Sequence, residues 1–290
     1  MRYSNLKEMS PLTFTLSLLG ISVVAGFIGS LLGLGGGIVI VPVLTLVYGI
    51  DIRYAIGASI ISVIATSSGA AAAYVRERMT NMRVAMLLEL GTTSGAITGA
   101  FLAGVIRGPW LFITFGVVMG FSSLVMLRRT REHNEPVPPD ALADKLRLHD
   151  KYYDESLGQE IEYRVTHVRL GLVLMYLAGV VSGLLGIGSG ALKVPAMDLA
   201  MRLPIKVSSA TSNFMIGVTA AASAGLYFAR ADVHPFLVAP VATGVVLGAT
   251  IGSKVMGKID SRTLRVCFVV VLLIVSAQMV WKGLLWEGLQ

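Results

Sequence analysis

Gly33-Leu34-Gly35-Gly36-Gly37, with Pro42 five residues on, decides how this chain is read, because it returns 153 positions later as Gly186-Ile187-Gly188-Ser189-Gly190 with Pro195. The register does not slip on either side. Ala25-Gly26 correspond to Ala178-Gly179, Ser59 to Ser212, Thr66 to Thr219, Tyr74 to Tyr227, Gly91 to Gly244 and Gly99 to Gly252. One register kept over such a length is an internal repeat of two large halves.

Each glycine cluster sits inside apolar sequence, and so does most of the chain. Of its 290 residues 54% are hydrophobic and only 14% are charged, and the mean hydropathy is +0.75. A soluble domain carries about 25% charged residues, so this composition is that of an integral membrane protein. The 32 glycines and ten prolines agree, because membrane helices tolerate both. A net charge of +7 has two explanations, nucleic acid or basic cytoplasmic loops. The placement of the charges selects the second. Cys267 is the single cysteine and lies in an apolar run, which excludes an intramolecular disulfide and any cysteine-cluster metal site. The polar start, Met1 to Ser10, has no small-residue cleavage site after the first apolar run and is read as retained.

Apolar runs fall at about 12–32, 38–49, 54–75, 83–105 and 109–127, then at about 169–186, 191–201, 207–229, 235–256 and 264–285. Most reach the roughly 20 residues that cross a hydrocarbon core; 38–49 and 191–201 do not. The expectation is an all-α integral membrane protein of about ten helical segments, with short half-membrane helices after the glycine clusters, either re-entrant or tilted. Its parts are an N-terminal repeat (1–127), a linker (128–168) and a C-terminal repeat (169–290). Basic residues gather on one side, in the loops around Arg76–Arg83, Arg128–Arg169, Arg202–Lys206 and Lys254–Arg265. The positive-inside rule makes that side cytoplasmic, places both termini outside in the cell (inner) membrane, and makes the two five-segment repeats inverted. The linker reads as a solvated cytoplasmic connector, in which Glu160 to Val168 alternates enough for a short strand in a small cap.

Irregular backbone survives in a bilayer only where protein or a wet cavity surrounds it. Paired breaks at equivalent positions therefore point to a binding site made by Gly33, Gly35, Gly36 and Gly37 with Gly186, Gly188, Ser189 and Gly190. Helices starting at Ile38 and Ala191 would aim free N–H groups at that point, which suits an anion. The competing explanation is that small residues simply let helices pack closely. Lys193 lies in the first turn of the second short helix, where the first half has Ile40. A cation there is opposed by desolvation and by the helix dipole, so it needs an anionic ligand, a carboxylate such as Glu89 or Asp198, or a snorkelling route to the interface. Glu89, inside the run 83–105, is either a proton-coupling group or a lysine's structural partner. Pro42 and Pro195 would serve gating.

Ser59, Thr66, Thr92, Thr93, Ser208, Ser209, Thr211, Ser212, Asn213 and Thr219 offer groups that bind oxyanions or join helices. Ser59 and Ser212 stand out because they match across the repeat, and Asn213 adjoins the second. Arg230, Asp232 and His234 form either an outer gate or a solvated turn. No Walker lysine motif is present, and four histidines form neither a metal pattern nor a nucleophilic triad, so an enzyme is disfavoured, with no cofactor and no metal.

The two clusters with Pro42 and Lys193-Val194-Pro195, together with Ala210-Thr211-Ser212-Asn213-Phe214, resemble the TauE/SafE sulfite exporter family, over roughly 25–105 and 177–260. The resemblance implies a membrane transporter of sulfur-containing anions such as sulfite or sulfonates, often exported. Ser189 departs from the pattern where a third glycine of the second cluster is expected. The expected function is a secondary transporter, exporting small sulfur-containing anions by alternating access. The expected partners are a small anionic substrate, the lipid bilayer and a coupling proton or sodium, with oligomerisation open and no nucleic acid. The alternatives are proton- or sodium-coupled uptake, or a non-transporting receptor or assembly subunit acting through the linker.

Overall fold

Each cluster does the same thing to the backbone. Gly33 and Gly186 end long helices at φ 69° and 65°, a left-handed conformation that glycine adopts without steric cost. In the computed structural model, which describes residues 10–106, 108–127 and 137–287, the chain is mostly helical. Arg107, residues 1–9 and the first part of the linker, with Arg128, Arg129, Arg131 and Pro136, lie outside the described residues.

The first half comprises α1 (Pro11–Leu32), α2 (Gly37–Pro42), α3 (Ile52–Arg76), α4 (Met82–Ala103) and α5 (Gly108–Leu127). The linker supplies α6 (Ala141–Lys145), β1 (Asp150–Asp154) and β2 (Gln159–Tyr163). The second half follows with α7 (Val168–Leu185), α8 (Gly190–Pro195), α9 (Ile205–Ala229), α10 (Pro235–Met256) and α11 (Ser261–Glu287). The bounds of α2, α3 and α4 recur at α8, α9 and α10 with the offset of the sequence repeat. Both short helices continue into a π-helical turn, Val43–Val47 and Ala196–Ala200, directly after Pro42 and Pro195. Proline has no N–H to donate, so the regular i→i−4 ladder fails there and the chain winds wider.

Seven of the helices, α1, α3, α4, α5, α7, α10 and α11, are long and apolar enough to cross a membrane. The 25-residue α9 is as long as α3 but buries Ser208, Ser209, Thr211, Ser212, Asn213, Thr219 and Ser223. Its polar face is turned into protein.

Packing exchanges helices between the halves. The most extensive contacts are α4 on α7 and α1 on α10, followed by α5 on α11, α3 on α10, α3 on α9 and α4 on α9. Glycine makes the first two crossings possible. A Cβ at Gly183 would overlap the Ala96 carbonyl and one at Gly99 the Val180 carbonyl, while Gly248 meets Val23 and Gly26 meets Val245 in the same way. Without lipid-excluding hydrophobic drive, such close backbone approach is what holds membrane helices together.

The linker departs from the solvated connector expected of it. β1 and β2 pair antiparallel, Asp150 opposite Tyr163 and Asp154 opposite Gln159, so the predicted strand is real but ends before Val168. Leu148, Tyr152, Tyr163 and Val165 bury against Val84, Leu88, Met197, Met201 and Val207 of the helices. Asn81 pins the cap to α4. Its Oδ1 accepts from Val84 N at 3.0 Å, while its Nδ2 donates to Leu148 O at 2.9 Å and to the Tyr163 hydroxyl at 3.0 Å. These alternating apolar residues are few and dispersed among charges, so composition concealed a packed cap.

Candidate functional site

The two glycine clusters meet at the centre of the bundle. A Cβ at Gly190 would overlap the Gly33 carbonyl, and one at Gly37 would overlap the Ser59 hydroxyl. Gly35 and Gly188 both lie against Val63 and Ile216. The matched serines reach across: Ser59 Oγ donates to Gly186 O at 2.7 Å, and Ser212 Oγ donates to Gly33 O at 2.8 Å. Each half thereby holds the other half's break, and both hydroxyl protons are used on backbone. Asn213 Nδ2 donates to Ser30 O at 2.6 Å and Ser209 O at 3.1 Å, while its Oδ1 is buried with no hydrogen-bond partner.

Gly36 and its counterpart Ser189 precede the short helices with φ 67° and 57°. The serine therefore occupies a glycine conformation, and its Oγ donates to the neighbouring Gly188 O at 2.7 Å. It gives α8 no side-chain cap.

Lys193 is fully buried, and its ammonium donates to Thr219 Oγ1 at 2.6 Å. That hydroxyl in turn lies 2.6 Å from Glu89 Oε1, which also accepts from Thr93 Oγ1 at 2.9 Å. The second carboxylate oxygen, Oε2, stands 3.6 Å from Lys193 Nζ, within ion-pair range but without a hydrogen bond, and is buried. Of the two acids offered to Lys193 by the sequence, Glu89 is the partner. Three helices, α4, α8 and α9, supply this cluster. Asp198 goes instead to Arg265, whose Nη2 lies 3.1 and 3.3 Å from its two oxygens.

A second fully buried lysine, Lys206 at the start of α9, binds the tip of the hairpin. Its Nζ donates to Asp154 Oδ1 at 2.7 Å, Ser156 Oγ at 3.0 Å and Gly257 O at 3.2 Å. Burial alone would raise the Asp154 carboxyl, but the bonds from Lys206 and Ser156 outweigh it and hold it below the ordinary carboxylate range. In the sequence Lys206 and Arg265 read only as loop charges, and Asp154 as one of the many charges of the linker. Nothing in one dimension reveals that the linker folds back over them. At the other end, Arg230 ties the end of α9 to α4, through Asp232 Oδ2 at 2.9 Å and Ala100 O at 2.7 Å, with Tyr227 beneath its guanidinium. Among the described residues no group of acids, histidines and cysteine is placed to hold a metal ion.

The family model described as "Sulfite exporter TauE/SafE" matches residues 18–279. The chain belongs to the TauE/SafE family. It is accordingly a multi-pass membrane protein of transporter type, in keeping with the seven spanning helices. This TauE/SafE chain is 26% identical over 271 residues to the "Probable membrane transporter protein YunE" of Bacillus subtilis, covering 91% of this chain and 96% of that one. A "Probable membrane transporter protein" of Xylella fastidiosa is 27% identical over 271 residues, with 91% and 93% covered. The B. subtilis "Probable membrane transporter protein YdhB" is 26% identical over 236 residues, with 81% and 85% covered. No solved structure gives a significant match.

Proposed function

We propose that this TauE/SafE chain is a secondary transporter exporting small sulfur-containing anions such as sulfite or organosulfonates. In this reading the two repeats are inverted in the inner membrane, and access alternates around the meeting point of Gly33–Gly37 and Gly186–Gly190. The observation that carries it is Lys193, a lysine with no exposure beside that meeting point. A lone cation at the centre of a membrane helix costs about 2.5–3.5 kcal/mol on insertion scales. Glu89 offsets part of this, yet at 3.6 Å it makes no hydrogen bond to the ammonium, so an oxyanion can compete for the charge without first breaking one. The glycines keep side chains away from the buried backbone beside it.

Helix exchange supports one division into moving parts. Because α10 packs on α1 and α4 on α7, the units that rock against each other are α1–α3 with α10, and α7–α9 with α4, rather than the sequence halves. In purified protein reconstituted into liposomes, radiolabelled sulfite, thiosulfate or a sulfonate should move down an imposed gradient. Absence of flux for every one of these and for sulfate would end this substrate class.

The buried, unbonded Oε2 of Glu89 favours a second reading, proton-coupled uptake. Protonating Glu89 leaves the Lys193 cluster with a net positive charge, so proton and anion would bind together. Flux that ceases to respond to an imposed pH gradient in Glu89→Gln, while sulfite exchange persists, would support it; flux with no proton movement in the native protein would remove it.

A further inference from the structure

Beneath the cap lies a cavity of about 770 Å³ whose walls include His149, Lys151, Tyr152 and Arg164 from the linker, and whose lining on the membrane side includes Asp198 and Arg265. Its size falls in the ordinary range of small-ligand sites, about 300–1,000 Å³. Asp198 belongs to the π-helical turn that continues α8, five residues past Lys193, roughly 7 Å along the axis. The ion pair thus lines the cavity, and one member sits on the turn that directly continues the helix of the buried lysine. Its two members are unequally placed: the Asp198 side chain is fully buried, whereas Arg265 is 18% exposed.

We propose that the Asp198–Arg265 pair is the gate on the linker side of this transporter, and that Arg265 is the first subsite for the anion, reached through the cavity under the cap. The inference rests on the transport function argued above. A guanidinium offers a planar fork of N–H donors that fits an oxyanion as well as it fits a carboxylate, so an arriving anion can replace Asp198 on Arg265. Exchange of that partner removes one restraint from the π-helical turn carrying Asp198, which continues α8 and Lys193. Of the other carboxylates lining the cavity, Asp154 is held by Lys206 and Asp150 accepts from the Lys151 backbone N–H at 2.9 Å, while Glu162 is set against the basic side chains His149, Lys151 and Arg164 of the same lining.

A purely structural role is countered by the repeat itself. The positions 153 residues before Asp198 and Arg265 are Thr45 and Phe112, both buried, and the same helical turn closes there without an ion pair. Thr45 merely bonds its own helix at Val41 O, 2.8 Å away.

Two measurements test the gate. In a Cys267→Ser background, Val194→Cys places a thiol next to Lys193, and an anionic, membrane-impermeant methanethiosulfonate reagent is applied from the linker side. Asp198→Asn should raise the labelling rate about tenfold; equal rates with and without that substitution would overturn the gate, whether or not any flux is seen. In liposomes, Arg265→Lys keeps the charge but loses the fork. It should raise the KM for labelled sulfite about tenfold from the linker side and leave the opposite side unchanged. An equal rise on both sides, or none, would overturn the subsite. Wild-type vesicles that move no sulfur anion would remove the transport reading separately, with the labelling comparison still decisive for the gate. The exchange Asp198→Arg with Arg265→Asp should recover thermal stability without recovering the one-sided KM. Recovery of both would make the pair a structural one.

Discussion

The two halves share one backbone and differ in chemistry. Ser59 and Ser212 make the same bond in opposite directions, and the α2 and α8 turns have the same length, the same proline and the same π-helical continuation. Around Lys193, however, the likeness ends. Its counterpart is Ile40, that of Glu89 is Ala242, and only Thr219 keeps its counterpart, Thr66. The repeat gives the same backbone twice, and only the second short helix carries a buried charge, Lys193. The lesson is that the polar cluster is not needed to build the fold.

Removing one charge of the buried pair has the largest expected effect. Lys193→Met or Glu89→Gln should each cost about 3 kcal/mol, because the remaining partner is left uncompensated. The double change Lys193→Ile with Glu89→Ala, which copies the other half, should cost clearly less than the sum of the singles while abolishing sulfite flux. Thermal unfolding in detergent reads the first and liposome flux the second; strictly additive losses would mean that the two do not interact.

Next in size is the cap. Lys206→Met should also cost about 3 kcal/mol and free the hairpin to proteases. The same bond gives a pH signature. The Asp154 carboxyl is depressed in the folded state, so its contribution is complete above the ordinary aspartate value of about 3.9 and is lost as pH falls through the folded value. Proteolysis of the linker should rise on acidification into that range, and Asp154→Asn should remove the pH dependence.

Smaller effects sharpen the symmetry. Ser59→Ala and Ser212→Ala should each cost about 1–2 kcal/mol, since each leaves a buried carbonyl unpaired, and the two losses should be nearly equal. A wide difference in melting temperature would show that the breaks are held unequally. Ser189→Gly should stabilise the protein by about 1 kcal/mol through relief of the left-handed conformation, less what the bond to Gly188 contributes.

Much of this was legible in one dimension because glycine, proline and apolar run length act locally. Gly33 and Gly186 mark helix ends, Pro42 and Pro195 mark the change of winding, and the 153-residue register carries both. Lys193 stood out because a lysine in an apolar run needs a reason, and Glu89 was one of two partners its surroundings offered. Pairings that depend on chain return were not legible. Asp154 reaches Lys206 only because the hairpin folds back, and Arg265 reaches Asp198 only because α11 passes the π-helical turn. The crossing of α1 with α10 was equally hidden, since glycines spaced along a helix name no partner.

That crossing has a consequence in time. The glycine face of α1, with Gly26, is complete early in synthesis, while Gly248 of α10 is made more than two hundred residues later. At roughly 5–20 residues per second the interval is on the order of 10–40 s. Throughout it α1 stands in the bilayer without the partner its narrow groove was shaped for, whereas α4 waits only for α7, across the linker. Of these helices α1 is thus among the last to be locked, and a ribosome stalled before α10 would leave the nascent protein held together on one flank only.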